Sequence, residues 1–378
     1  MPGSQYQKAN FVSIDYLGQL QFDKTNGVYS MEGGSTNYDA REGITALYLR
    51  LDQKLGKRMS LTAGLRMEAT NLRYSGMVWN VDETTGDETL TPTGDSKNNY
   101  VNLLPSILWK WDVTDQWKVC ASYTETLARP KYSYLIPSVS INTTKDARPE
   151  VTIGNPDLKP MTSHNFDLAT EYYFRNLGLV SAGVFFKRIN NFVVNEVTNG
   201  EYGTLGSSKI VKPVNGFDGN LFGVELGIQR DFSFITPALK CIGFDGNYTY
   251  TANSVSNCSV GNKDEQIMPG SPKNMLNASL YFEKSGLKAR ISYNYTSAFQ
   301  DDEEYQSDSR LRRYYDSTSY MDLNLSYTFG KTLKTTFFAE ATNLLNQPLR
   351  YYIGGNKDCT TQVEYYGTKF NIGVKLAM

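Results

Sequence analysis

Apolar and polar residues take turns along almost the whole chain, and the connections between these alternating segments are tight and long by turns. Near the C-terminus, Phe370, Ile372, Val374 and Leu376 fall on one side and Asn371, Gly373 and Lys375 on the other. Met321, Leu323, Leu325, Tyr327 and Phe329 oppose Asp322, Asn324, Ser326 and Thr328, and Phe222, Val224, Leu226 and Ile228 oppose Gly223, Glu225, Gly227 and Gln229. A period of two is that of a β-strand with unlike faces, and a one-residue slip would exchange the faces, so register is strongly specified. The tight connections read "KLGKRM", "VTDQW", "FRNLG", "EKSGL" and "FGKTL". The long polar ones cover roughly 24–41, 81–98, 127–161, 198–208, 256–272, 301–314 and 354–364, and one connection near 231–238 is intermediate.

A soluble sandwich could bury either face of any one strand, but it has no reason to sort its loops by length. Short turns at one end, long loops at the other and strands of about ten residues or more describe a transmembrane β-barrel of the bacterial outer membrane. The expected fold is all-β and antiparallel, one domain over 1–378, with about fourteen strands. These are placed at 10–23, 42–55, 59–80, 99–112, 117–127, 162–174, 178–197, 209–230, 239–255, 273–284, 287–300, 315–329, 333–353 and 365–378. Hydrocarbon leaves no water for an open strand edge, so closure is required, with apolar stripes towards lipid and charged ones towards a wet lumen. Trp109, Trp111, Trp117, Tyr172 and Tyr173 stand near strand ends, as headgroup-level aromatics do.

Composition narrows the function classes. Net charge is −1, so nucleic acid is not an expected partner. There are 27 tyrosines but a single histidine, His164, which makes a zinc site improbable. No G-x-S-x-G, H-E-x-x-H or glycine-rich phosphate loop is present, so an enzyme is not expected, and no cofactor is implied. No apolar run reaches the ~18 residues of a helical span. Of the four cysteines, Cys258 and Cys359 fall in polar loops, where a disulfide and two unpaired thiols are both open; Cys120 and Cys241 fall in strand-like sequence. The acidic stretches "DETTGDE" at 82–88 and "DDEEYQSD" at 301–308 are dense enough in oxygen donors for a loop Ca²⁺, but lack EF-hand spacing and read more simply as solvated loop.

Several motifs carry a family likeness. "VTIGNPDLKP" at 151–160 runs into "MTSHNFDLATEYYF", and Gly154, Asn155, Pro156, Leu158 and Pro160, with Ser163, Asn165, Asp167, Leu168 and Glu171 after them, resemble a loop-to-strand signature of TonB-dependent outer-membrane receptors. "NLLPSILWKW", "ASYTETLARP" with Arg129 and Pro130, "FGVELGIQ" and "AEATNLLNQPLRYY" resemble further elements of that family in the same order, over about 40–378. The style is closest to receptors of Bacteroidota-type bacteria. The resemblance implies uptake of a scarce nutrient (iron chelate, cobalamin, glycan or peptide) and, for the intact receptor, about 22 strands around a plug domain. It also implies a TonB complex as partner, and a surface lipoprotein is a further possible one. No plug and no signal peptide is legible, so the expected chain is the C-terminal part of such a barrel, set among membrane lipid and lipopolysaccharide. A passive fourteen-stranded pore and a surface adhesin are the alternatives.

Pro156 and Pro160 fix φ and cannot extend a ladder, so the motif is expected to end a long loop rigidly and to set the register of the next strand. Candidate ligand contacts are Arg310, Arg312, Arg313, Tyr314 and Tyr315, whose forks and rings suit an anionic chelate or a sugar. The lumenal charges Arg50, Arg66 and Glu225 complete the candidates.

Overall fold

The computed structural model describes residues 31–377, apart from 83, 144–147, 176–177, 261–266, 302–304 and 307. Thirteen long strands follow in chain order: β1 Asp39–Leu55, β2 Met59–Ser75, β3 Ser96–Asp112, β4 Trp117–Ala128, β5 Met161–Tyr173, β6 Gly178–Glu201, β7 Ser207–Asp231, β8 Ile242–Ser256, β9 Asn274–Lys284, β10 Leu287–Thr296, β11 Thr318–Phe329, β12 Lys334–Thr342 and β13 Lys369–Ala377. Each pairs antiparallel with the next, which makes one continuous meander. Among the described residues β1 pairs only with β2 and β13 only with β12. The expected strand at 10–23 lies outside the described residues.

The register puts the greasy stripes on a common face. Leu47, Leu49 and Leu51 of β1 stand opposite Met67, Leu65 and Ala63 of β2, while Arg50 faces Gly64 and Tyr48 faces Arg66 on the other side. The apolar stripe is bare even on strands paired on both sides: Leu168 and Leu226 are each 50% exposed. Side chains so exposed on a well-formed sheet have no protein to meet, which is the condition of a wall in contact with acyl chains. On the lumenal face, rings lie flat over bare backbone. Phe185 covers Gly223, Tyr281 covers Gly243 and Phe338 covers Gly373, where a Cβ would come within 2.1–2.4 Å of the ring. Lys187, Arg290 and Lys375 stand over those three rings in turn.

Two expected strands end early. The segment 59–80 breaks at Gly76, where Ile136 packs so closely that a Cβ would lie 2.3 Å from its Cγ2, and Met77–Val81 turns off to pair with Glu88–Pro92. The segment 333–353 ends at Thr342, because Asn343 and Asn346 take positive φ (56° and 51°) and the Asn343 side chain bonds Gln347 and Gly367. Asparagine tolerates the left-handed region and mimics a backbone turn, so the N-L-L-N stretch stops a strand. Leu349–Ile353 then joins a separate small sheet with Phe299–Gln300, Arg313–Tyr315 and Thr360–Glu364.

β6 and β7 have 24 and 25 residues, whereas a tilted strand crosses the hydrocarbon in about 9–11. Their upper halves therefore stand above the wall, past an irregularity between Ile189 and Phe192. The short hairpin Val139–Asn142 and Glu150–Ile153 adds to β7 there in parallel. All three clusters of buried apolar side chains lie in this head: Leu72, Tyr74, Leu135, Ile136 and Leu158; Val194, Phe217, Val260 and Met268; Trp79, Ile141 and Val151.

Candidate functional site

The segment Gly154–Pro160 is where the long 129–160 connection is fastened to the wall. Gly154 passes so close to Ile136 that a Cβ would lie 1.6 Å from its carbonyl oxygen, so no other residue fits. The Asn155 backbone N–H donates to Tyr134 O (2.7 Å), its Nδ2 donates to Pro213 O (2.9 Å), and its Oδ1 accepts from the Asp157 N–H (3.1 Å). Tyr74 Oη and Asn98 Nδ2 donate to Pro156 O (3.1 and 3.2 Å), and Asn98 also reaches Leu158 O (3.0 Å). Asn215 exchanges two 3.0 Å bonds with the Lys159 backbone. The Leu158 side chain is 1% exposed and completes the first of the three buried clusters. Strand β5 begins directly after Pro160, so the motif ends the loop and starts the descending strand as its prolines imply. Tyr74, Asn98 and Asn215 hold it from β2, β3 and β7. Nothing in the sequence marks these three, since polar residues near strand ends are common.

Arg129 fastens the other end of the same connection. Its Nη2 donates to Glu68 Oε2 (2.5 Å) and Thr70 Oγ1 (3.2 Å), and its Nε lies 3.4 Å from Glu42 Oε1. Tyr132 Oη donates to Glu42 Oε2 (2.9 Å). Arg66, one of the candidate lumenal charges, is spent here: its Nε donates to Glu68 Oε1 (2.5 Å). Arg50 is likewise paired, bidentate to Asp52 (2.6 and 2.8 Å). Glu225 is exposed on the lumenal face and makes no ion pair among the described residues. These charges do not converge with the arginine–tyrosine segment, which belongs to the small sheet.

In that sheet the arginines meet carboxylates of their own neighbourhood. Arg310 grips Asp308 through Nε (3.0 Å) and Nη2 (2.8 Å), and these hydrogen bonds hold the Asp308 carboxyl down at about 2. Arg313 Nε donates to Asp301 (2.6 Å) and its guanidinium lies 4.8 Å from the Tyr351 ring centre. Arg312 is 1% exposed and donates to Gln306 O (3.0 Å). Tyr314 stacks on Tyr352 (5.5 Å), while Tyr315 packs between Phe299 (5.3 Å) and Tyr351 (5.1 Å). Burial, then the neighbouring Tyr320 and Tyr351, push the Tyr315 hydroxyl up to about 12, so it stays a neutral donor. Burial pushes Asp316 up, but Lys357 (2.8 Å) and Arg350 (2.8 Å) outweigh it and hold the carboxyl below its usual range. Asp301 and Asp308, from the acidic stretch offered for Ca²⁺, are thus engaged by arginines, and Asp82 caps its own turn through the Thr84 and Thr85 N–H groups. Among the described residues no group of three or more His, Cys, Asp or Glu side chains is placed to hold a metal ion. All four cysteines are free thiols, so the disulfide left open between Cys258 and Cys359 does not form.

The family profile described as "TonB dependent receptor-like, beta-barrel" matches residues 2–344. The chain belongs to the TonB-dependent receptor family. Members of this family are outer-membrane proteins that bind small nutrient ligands and work with TonB; they are transporters rather than enzymes. Among solved structures the receptor barrel is similar to the ferric-catecholate import receptor Fiu of E. coli K12 in its closed form, at TM-score 0.64 and 14% identity, covering 90% of this chain and 45% of that one. It is also similar to the copper transporter OprC (TM-score 0.64, 16% identity, 89% and 48% covered) and to the unliganded ferric citrate transporter FecA (0.58, 16%, 90% and 46%). The chain spans about half the length of these structures. No curated protein sequence matches it.

Proposed function

We propose that this chain forms wall and outer head of a receptor that imports a scarce metal chelate or comparable nutrient through the outer membrane, driven by TonB acting on a plug. The two-faced wall carries this reading. Its outward stripe is apolar, and its inward stripe gives hydrogen-bonding or charged side chains to every strand, so a polar solute can move beside it without losing its partners. The fastened head supports import over a passive pore, because the 129–160 connection is held at both ends by partly buried hydrogen bonds. An iron chelate is favoured among the nutrients because the similar structures are named for ferric chelates and copper. The exposed Arg310 and the half-buried Tyr314, Tyr315 and Tyr351 of the small sheet are the surface offered to it.

The test is uptake of radiolabelled ferric chelates by cells making the full-length receptor, with and without TonB. Import that requires TonB supports the reading. Import indifferent to TonB and proportional to concentration would make the protein a passive pore, and surface binding without import would make it an adhesin.

A further inference from the structure

The short-turn end of the wall carries one turn unlike the others. Residues 231–240 read "DFSFITPALK", where the other turns are tight and polar. Asp231 accepts a hydrogen bond from the Ser233 N–H (3.0 Å) and so caps the one-turn 3₁₀ helix Phe232–Phe234. Phe234 and Ile235 then project, 53% and 63% exposed. In a soluble protein such a tip would be a liability; beside a lipid-facing stripe it prolongs that stripe past the strand end.

Arg230 stands at this boundary. It follows Phe222, Val224, Leu226 and Ile228 on the outward face of β7, directly after the last apolar residue. Its Cζ lies 3.9 Å from the Phe174 ring centre and 4.2 Å from that of Phe234. Phe174 and Phe234 thus flank the guanidinium, each within cation–π reach of it. Gly178, opposite Arg230 in the ladder, leaves the space: a Cβ there would come 3.1 Å from Arg230 Cγ and 3.2 Å from a ring carbon of Phe174. Among the described residues the guanidinium makes no ion pair and no side-chain hydrogen bond, and the adjacent Asp231 is turned to its own cap.

The two rings shield the guanidinium, and its N–H donors lie in its plane, as in any arginine. That geometry accepts an anion presenting two oxygens side by side, as a phosphate does, and an ammonium could not imitate it. We propose that Arg230, Phe174 and Phe234 form a clamp for the phosphate of a glycerophospholipid in the periplasmic leaflet, with the Phe234–Ile235 tip among its acyl chains. Three features select a lipid over a soluble phosphate: the clamp faces outward, it continues the apolar stripe, and its own flanks are greasy.

The test is native mass spectrometry of the full-length receptor extracted from outer membranes in a phosphate-free maltoside detergent. The wild type is expected to keep a glycerophospholipid. Arg230→Gln should lower the retained fraction at least about tenfold. Arg230→Lys, which keeps the charge but loses the planar pair of donors, should fall between them. Gly178→Val, which fills the space for the arginine stem, should behave like Arg230→Gln. As a second readout, Phe234→Trp fluorescence should be quenched by brominated-chain phosphatidylglycerol, and less so when Arg230→Gln is added. Equal retention in wild type and Arg230→Gln would overturn the proposal. So would displacement of the lipid by inorganic phosphate alone, or recovery of lipopolysaccharide in place of glycerophospholipid.

Discussion

The wall and the head share strands β2, β6 and β7 but follow opposite rules of burial. In the wall, Leu168 and Leu226 are each 50% exposed on an apolar face; in the head, Val151 and Leu158 are 0% and 1% exposed inside conventional clusters. β2, β6 and β7 pass from one regime to the other without leaving the sheet. The contrast teaches that alternation alone specifies a strand and its register, and the solvent beyond each face decides which side is the interior. In the wall that solvent is lipid. In the head it is water, and the apolar side chains must find one another.

Substitutions can break this comparison or refine it. The largest effect is expected from Leu158→Ala, which leaves a cavity in the head at about 2–5 kcal/mol. Protease sensitivity of the 129–160 connection should rise while the heat-modified gel mobility of the wall is unchanged; a wall that melts together with the head would erase the distinction. Next comes Leu226→Arg, midway along the outward stripe of β7, where a lipid-facing charge costs about 2–4 kcal/mol. Folding into detergent micelles, followed by urea titration, should show the loss, and a neutral result would mean this face does not meet lipid. Asn98→Ala removes two hydrogen bonds to the carbonyls of Pro156 and Leu158 and should cost about 1–2 kcal/mol, read as faster amide exchange in the connection with unchanged exchange in β9 to β12. The smallest effect concerns acid. Because Arg310 holds Asp308 at about 2, the stabilisation from this pair is complete above the ordinary carboxylate range and is lost as pH falls through about 2. A carboxyl ¹³C shift titration should place the midpoint there, and Arg310→Gln should move it up.

Much of the wall was legible because period two is a strong signal. Thirteen of the fourteen expected strands reappear, and apart from the early stops at Gly76 and Thr342 they do so within a few residues of their placement. The stop at Gly76 was hidden for a physical reason, since it depends on a contact from a distant segment, Ile136; the stop at Thr342 rests on local asparagine turn chemistry that the N-L-L-N stretch already carried. Gly154, Asn155, Pro156, Leu158 and Pro160 were legible as a rigid loop end, because glycine and proline restrict the backbone by themselves. The donors that hold them were not, since Tyr74, Asn98 and Asn215 acquire meaning only when three strands meet. The arginines at 310–313 looked available in one dimension. Their carboxylates lie two to twelve residues away, at Asp308 and Asp301, and only the folded sheet brings Asp301 back to Arg313.

The rings laid over Gly223, Gly243 and Gly373 bear on the calibre of the passage. An upright phenylalanine would jut into the bore and narrow it; one reclining on a bare neighbour occupies a dent in the lining instead. Replacing any of the three glycines by a bulkier residue would lift its ring, and the cation above it, towards the axis. The free width beside this wall is set in part by residues that have no side chain at all.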